Sequence, residues 1–127
     1  MLKAPRWEAT PSDDDYAAAG RYLSLLMSAK RSTELATALK KGSLVAHRAN
    51  DLLRASGLAL LPPDDPEVAS DLKKVRRGKK LSPVLLVLGG LDDERPLTVA
   101  DGYHRICVSY HLDPDSEIPC RAVNRGG

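Results

Sequence analysis

Cysteine is scarce in this chain. Cys107 and Cys120 are the only two in 127 residues, too few for a multi-disulfide framework, and both read as free thiols, with Cys107 a small core residue. Histidine numbers three, and no Cys/His spacing matches a zinc site. Aromatics make up 4% and none interleaves the basic run at 73–80, as a surface that stacks single-stranded bases would need. No apolar run approaches the roughly 18 residues of a membrane span, and no charged stretch followed by an apolar one marks a secretion signal. A Gly-x-x-x-x-Gly-Lys-Ser/Thr string is missing, which removes a P-loop. Carboxylates do not cluster as two catalytic metals require, so nuclease chemistry is a lesser reading. There is no internal repeat and no low-complexity tract. These absences describe a cytoplasmic protein with no membrane partner.

What is present fits one ordinary core: 43% hydrophobic and 28% charged residues, with a net charge of +2. Distribution says more than the sum. Lys73, Lys74, Arg76, Arg77, Lys79 and Lys80 place six cations within eight residues, while acid gathers at 13–15 and 64–67. Such a basic run is more often a solvated helix face than a nucleic-acid contact, so nucleic acid is not favoured as a partner.

Residues 1–12 carry two prolines and no periodicity, an extended arm with Trp7 pinned against the domain. Ser12 and the following acids open a helix whose stripe is Tyr16, Ala19, Tyr22, Leu23 and Leu26, running to about Ala29. Ser32 and Thr33 cap a second helix with Leu35, Ala36 and Leu39, ending near Gly42. Leu44, Val45, Ala49, Leu52 and Leu53 predict a third helix, closing at Gly57. A proline-rich connector leads to a short helix with Val68, Leu72 and Val75 inside, closing at Gly78. Strands are expected at 84–88, 97–100 and 117–123, with a polar turn at 89–96 and a helix at 103–111. Strand, helix and strand over 97–123 suggest a right-handed crossover unit. His47 reads as a surface residue, and His111 as a partner of the helix dipole.

Asp101-Gly102-Tyr103-His104-Arg105 carries the most functional information. A strand that turns at Asp-Gly and opens directly into a helix presents free main-chain N–H groups, an anion site to which His104 and Arg105 add donors. Gly102 lets the backbone approach a ligand with no Cβ in the way, and Arg105 offers a planar fork. The plainer reading of these residues is a tight turn capped by Asp101.

Two segments resemble a known family. Residues 67–88, with the basic helix, the Leu81-Ser82-Pro83 step and the strand after it, resemble the first box of the ParB-like and sulfiredoxin-like domains. Residues 97–123, Leu-Thr-Val-Ala-Asp-Gly-Tyr-His-Arg, a helix, then Ile-Pro-Cys-Arg-Ala-Val, resemble the second. The likeness starts at Glu67 and leaves residues 1–56 unexplained. It implies an α+β fold, a small mixed-sheet domain of that type over 57–127 preceded by a helical N-terminal extension over 1–56. It also implies a nucleotide-phosphate site on Gly102, Tyr103, His104 and Arg105, closed from the first box by Ser70, Lys73 and Lys74. ATP or CTP with magnesium are its candidate cofactors.

The departures matter as much. Sulfiredoxins carry their catalytic cysteine between the Gly and the His, where this chain has Tyr103, so sulfinic-acid reduction is not expected. ParB proteins and nucleotide-hydrolysing or serine-kinase relatives commonly hold an acid there, and Tyr103 is no carboxylate base. Asp101 is the remaining catalytic candidate. The helix-turn-helix domain of chromosome-partitioning members is not among these residues, which argues against DNA segregation. Two expectations follow: a nucleotide-binding domain, with weak hydrolase or phosphotransferase activity as its catalytic form, or a non-catalytic regulatory module. The second would use the N-terminal helices to dock a partner or a second copy.

Overall fold

Ser12 starts the first helix as the sequence predicts. Its hydroxyl accepts the Asp15 N–H and the Asp15 carboxylate accepts the Ser12 N–H, a reciprocal capping box at the head of α1 (Asp13–Leu23). The computed structural model describes residues 4–89 and 97–125; the expected polar turn at 89–96 lies outside them apart from Gly89. Helix α1 ends at Leu23, earlier than its apolar stripe suggests, and a turn over 24–27 leads to α2 (Ala29–Lys41). The cap of α2 is Ser28, four residues before the expected one. Ser32 lies inside the helix and returns its hydroxyl to the Ala29 carbonyl.

The third predicted helix is divided. Leu44–Arg48 is strand β1, and only Ala49–Ser56 is helical, as α3. Helix α4 (Pro66–Arg76) is capped by Asp65, whose carboxylate accepts the Glu67 and Val68 N–H groups. Then come β2 (Val84–Leu88), β3 (Leu97–Asp101), α5 (Tyr103–Leu112) and β4 (Glu117–Asn124). Five helices and one four-stranded mixed sheet make an α+β fold.

The strand order is β1-β4-β2-β3, with β4 parallel to β2 and the outer pairs antiparallel. The expected crossover is therefore corrected: β3 runs antiparallel to β2 and β4 parallel to it, so β3 and β4 point in opposite directions on either side of β2 and cannot form a parallel crossover. A strand as apolar as β2 needs cover on both faces, and it has it. Val84 and Leu86 join Ile106, Ile118 and Cys120 under α3, α4 and α5, whereas Leu85 and Val87 join Leu23, Leu35 and Leu39 under α1 and α2. The leading 56 residues thus supply an edge strand, the α1–α2 layer on one face and α3 on the other.

Register fixes one detail at the β1 edge. Ala46 faces Pro119, which has no N–H, so theirs is a non-hydrogen-bonded pair. Val45 and His47 therefore bond β4, while the N–H and C=O of Ala46 point to the open edge. His47 is exposed, as expected. Trp7 is half-buried against the core and bridges to Leu81. No helix among the described residues is long and apolar enough to cross a membrane.

Candidate functional site

Strand β3 delivers Asp101 to the sheet's end, and Gly102 turns the chain into α5 with φ of 110°. A Cβ at Gly102 would lie 2.7 Å from Val84 Cγ2 and 2.9 Å from Arg105 Nη2, so glycine is demanded by packing as well as by φ. Asp101 does not cap the helix. Gly102 is the N-cap and no side chain bonds the first-turn N–H groups; the first helical bond is Ile106 N–H to the Gly102 carbonyl. The main-chain donors of Tyr103, His104 and Arg105 are left without a side-chain cap.

The side chains of the motif diverge. Arg105 turns inward: Nη2 donates to Asp101 Oδ2 at 2.7 Å and, weakly, to the Pro83 carbonyl at 3.4 Å, while Nη1 donates to Asp15 Oδ1 at 3.3 Å. The three charged side chains are only 13–19% exposed, so this is a largely buried network. Burial works to raise Asp15, but its bond from the Ser12 N–H, the Arg105 charge and the Ser82 hydroxyl outweigh it and hold the carboxyl below its ordinary value. At Asp101 burial wins. The nearby Asp15 charge adds to it, Arg105 offsets only part, and the carboxyl is pushed up. Asp15 is the member of this network that sequence inspection misses, because it reads locally as a first-turn helix acid.

Tyr103 and His104 face the opposite way. The Tyr103 hydroxyl donates to the Ala59 carbonyl in the connector, and burial raises the phenol. His104 lies 2.8 Å (Nδ1) from Glu67 Oε2 and 4.0 Å (Nε2) from Asp65 Oδ2, at the head of α4. Two helix N-termini thus converge beside one imidazole, and the chain's own carboxylates occupy the space between them. Glu67 is 72% exposed and free to swing away. His111 does more than offset a dipole: its Nε2 is 2.7 Å from the Leu61 carbonyl and ties α5 to the connector.

The first-box candidates sit further along α4. Ser70 and Lys73 are exposed, and Lys74 pairs with Asp71 at 3.6 Å. Lys74 is seven residues beyond Glu67, hence two turns along the same edge of the helix, whereas Lys73 points off that edge. The structure brings His104 to the head of α4 through Glu67 and Asp65; Ser70, three residues beyond Glu67, lies on the same edge as Glu67 and Lys74. Asp101 and Arg105 are joined to each other instead.

No family model matches this chain, and neither a curated protein nor a solved structure does. The site must be judged on its own geometry. Among the described residues, no three His, Cys, Asp or Glu side chains come together as metal ligands. Cys107 and Cys120 are free and buried; burial pushes both thiols up, Cys120 to about 12, which leaves them inert. A groove of about 500 Å³ between α1 and α2 is lined by Tyr16, Gly20, Arg21 and Ala36, away from the turn.

Proposed function

We propose that this chain is a phosphate-binding domain of the nucleotide-binding type, in keeping with the resemblance of residues 67–123. The observation that carries it is the head of α5: three main-chain donors without a side-chain cap, beside an imidazole that already holds an exposed carboxylate at 2.8 Å. A phosphate would take the place of Glu67 there. His104 and the N–H groups of 103–105 are its donors, with Lys74 on the adjoining edge. Arg105 and Asp101 serve this reading as positioning residues, since their charges are paired with each other at 2.7 Å. The reading is therefore one of binding, and no hydrolytic step is assigned to Asp101.

The test is a melting scan with ATP, ADP, CTP, GTP and AMP, each with and without magnesium. A ligand of the native state adds about 2.7 kcal/mol at a hundredfold excess over its dissociation constant. His104→Ala should keep the ligand-free midpoint and lose the shift; Glu67→Ala should enlarge it, because a competing carboxylate is gone. No shift with any nucleotide, or a shift indifferent to both variants, overturns the reading.

A second reading has its own observation. Tyr22 near the end of α1, and Leu25 and Leu26 in the turn after it, are 41%, 81% and 37% exposed, large apolar side chains left uncovered at this end of the N-terminal helices. Their exposure supports an interaction module that docks a partner or a second copy through the N-terminal helices. Leu25→Glu with Leu26→Glu should abolish any self-association seen by sedimentation and leave nucleotide shifts untouched.

A further inference from the structure

The basic run at the end of α4 becomes a single patch in the fold. Gly78, at φ of 78°, closes the helix: its N–H bonds the Val75 carbonyl and the Lys79 N–H bonds the Lys74 carbonyl. This is a Schellman turn, and it folds Lys79 back beside Lys74 rather than letting the run extend away. Leu81 then pairs with the N-terminal arm, through Leu81 N–H to the Arg6 carbonyl and Glu8 N–H to the Leu81 carbonyl. That pairing sets Arg6, from the far end of the sequence, next to Lys80. Arg6, Lys73, Lys74, Arg76, Arg77, Lys79 and Lys80 are all exposed. Among the described residues, Lys74 is the one member of this group in an ion pair, with Asp71. Glu8 is the other acid in the immediate segment.

A helix C-terminus favours cations, but only within its last turn, so the dipole does not account for Arg6, Lys79 and Lys80. Gathering so many like charges opposes folding unless a polyanion uses them. Trp7 is the aromatic next to the patch, and it is half-buried against the core, which removes base stacking as the mode of recognition. Phosphodiester contacts remain. Lys73 on the last turn of α4 and Arg77 at its C-cap are both exposed and four residues apart, about 6 Å along the axis, in position to follow a backbone.

We infer that the α4 C-terminal patch binds the phosphate backbone of a duplex nucleic acid without reading its sequence. This surface shares Lys74 with the phosphate site proposed at the head of α5, but the inference rests on Arg6, Lys73, Arg77, Lys79 and Lys80 and does not depend on that site.

Anisotropy of a labelled 25-base-pair DNA duplex and of the matching RNA duplex, titrated with the full chain over a salt series, tests it and tells the two polymers apart. Binding is expected near 10⁻⁴–10⁻⁶ M at physiological salt, with log K falling linearly against log salt. Lys73→Ala with Arg77→Ala should reduce the magnitude of that slope by about two, since each lost phosphate contact removes roughly 0.9. Arg6→Ala alone should reduce it by about one. The melting midpoint of each variant shows that it is folded. Absence of duplex binding at low salt, or an unchanged slope in folded variants, overturns the inference. So does tighter binding to phosphatidylserine vesicles than to either duplex, which would make the patch a lipid-headgroup surface.

Discussion

Removing Arg105 strands two carboxylates in a largely buried setting. Breaking a buried pair from one side costs about 3–5 kcal/mol, so Arg105→Ala should lose about that much in urea unfolding at pH 7. The same network makes stability depend on pH with opposite signs at its two acids. Asp15 titrates below its unfolded value, so its contribution exists above the ordinary carboxylate range and is lost as pH falls through the folded value. Asp101 titrates above its unfolded value, so its ionisation opposes folding at neutral pH and the penalty lifts on acidification. Between about pH 6 and pH 3, Asp15→Asn should therefore flatten the fall in the urea midpoint, and Asp101→Asn should steepen it. None of this is legible in the sequence. The Asp-Gly-Tyr-His-Arg string announces a turn and its donors, but besides Asp101 the second carboxylate partner of Arg105 is 90 residues away, on a helix whose acids have a sufficient local explanation as caps.

Elements whose signals are local were read well. The apolar run 84–88, the Asp-Gly entry into α5 and the glycine that closes α4 all carry their own instructions, and each appears where the pattern places it. Strand β1 does not. Leu44, Val45, Ala49, Leu52 and Leu53 fit a helical period, and only pairing with the distant β4 makes the first five residues extended. Proline substitution can expose that dependence. Val45→Pro removes a donor that β4 uses, whereas Ala46→Pro removes one that faces the open edge, so Ala46→Pro should be the milder by about 1 kcal/mol. A parallel contrast holds for the turns. Gly78→Ala should cost about 1–2 kcal/mol for its left-handed φ alone, and Gly102→Ala more, because its Cβ also meets Val84. Equilibrium unfolding of the four variants checks both orderings.

At the scale of the whole molecule, the sheet is covered on one face by α1 and α2 and on the other by α3, α4 and α5. Leu85, Val87 and Ala100 are buried beneath α1 and α2, and a chain beginning at residue 57 would expose them while losing β1. Such a truncation should lack dispersed amide resonances and a cooperative melt; a folded 57–127 fragment would show that the leading residues are an appendage. Topology of this kind also has a consequence in time. Strand β4 is made last, yet it lies inside the sheet, between β1 and β2. On a ribosome, both of its neighbours are complete before the strand that joins them has been synthesised. Helices can form early, but the nascent sheet has no interior until β4 has cleared the exit tunnel. Closure of the sheet then waits on the synthesis of β4, and β1 stays unpaired over that interval.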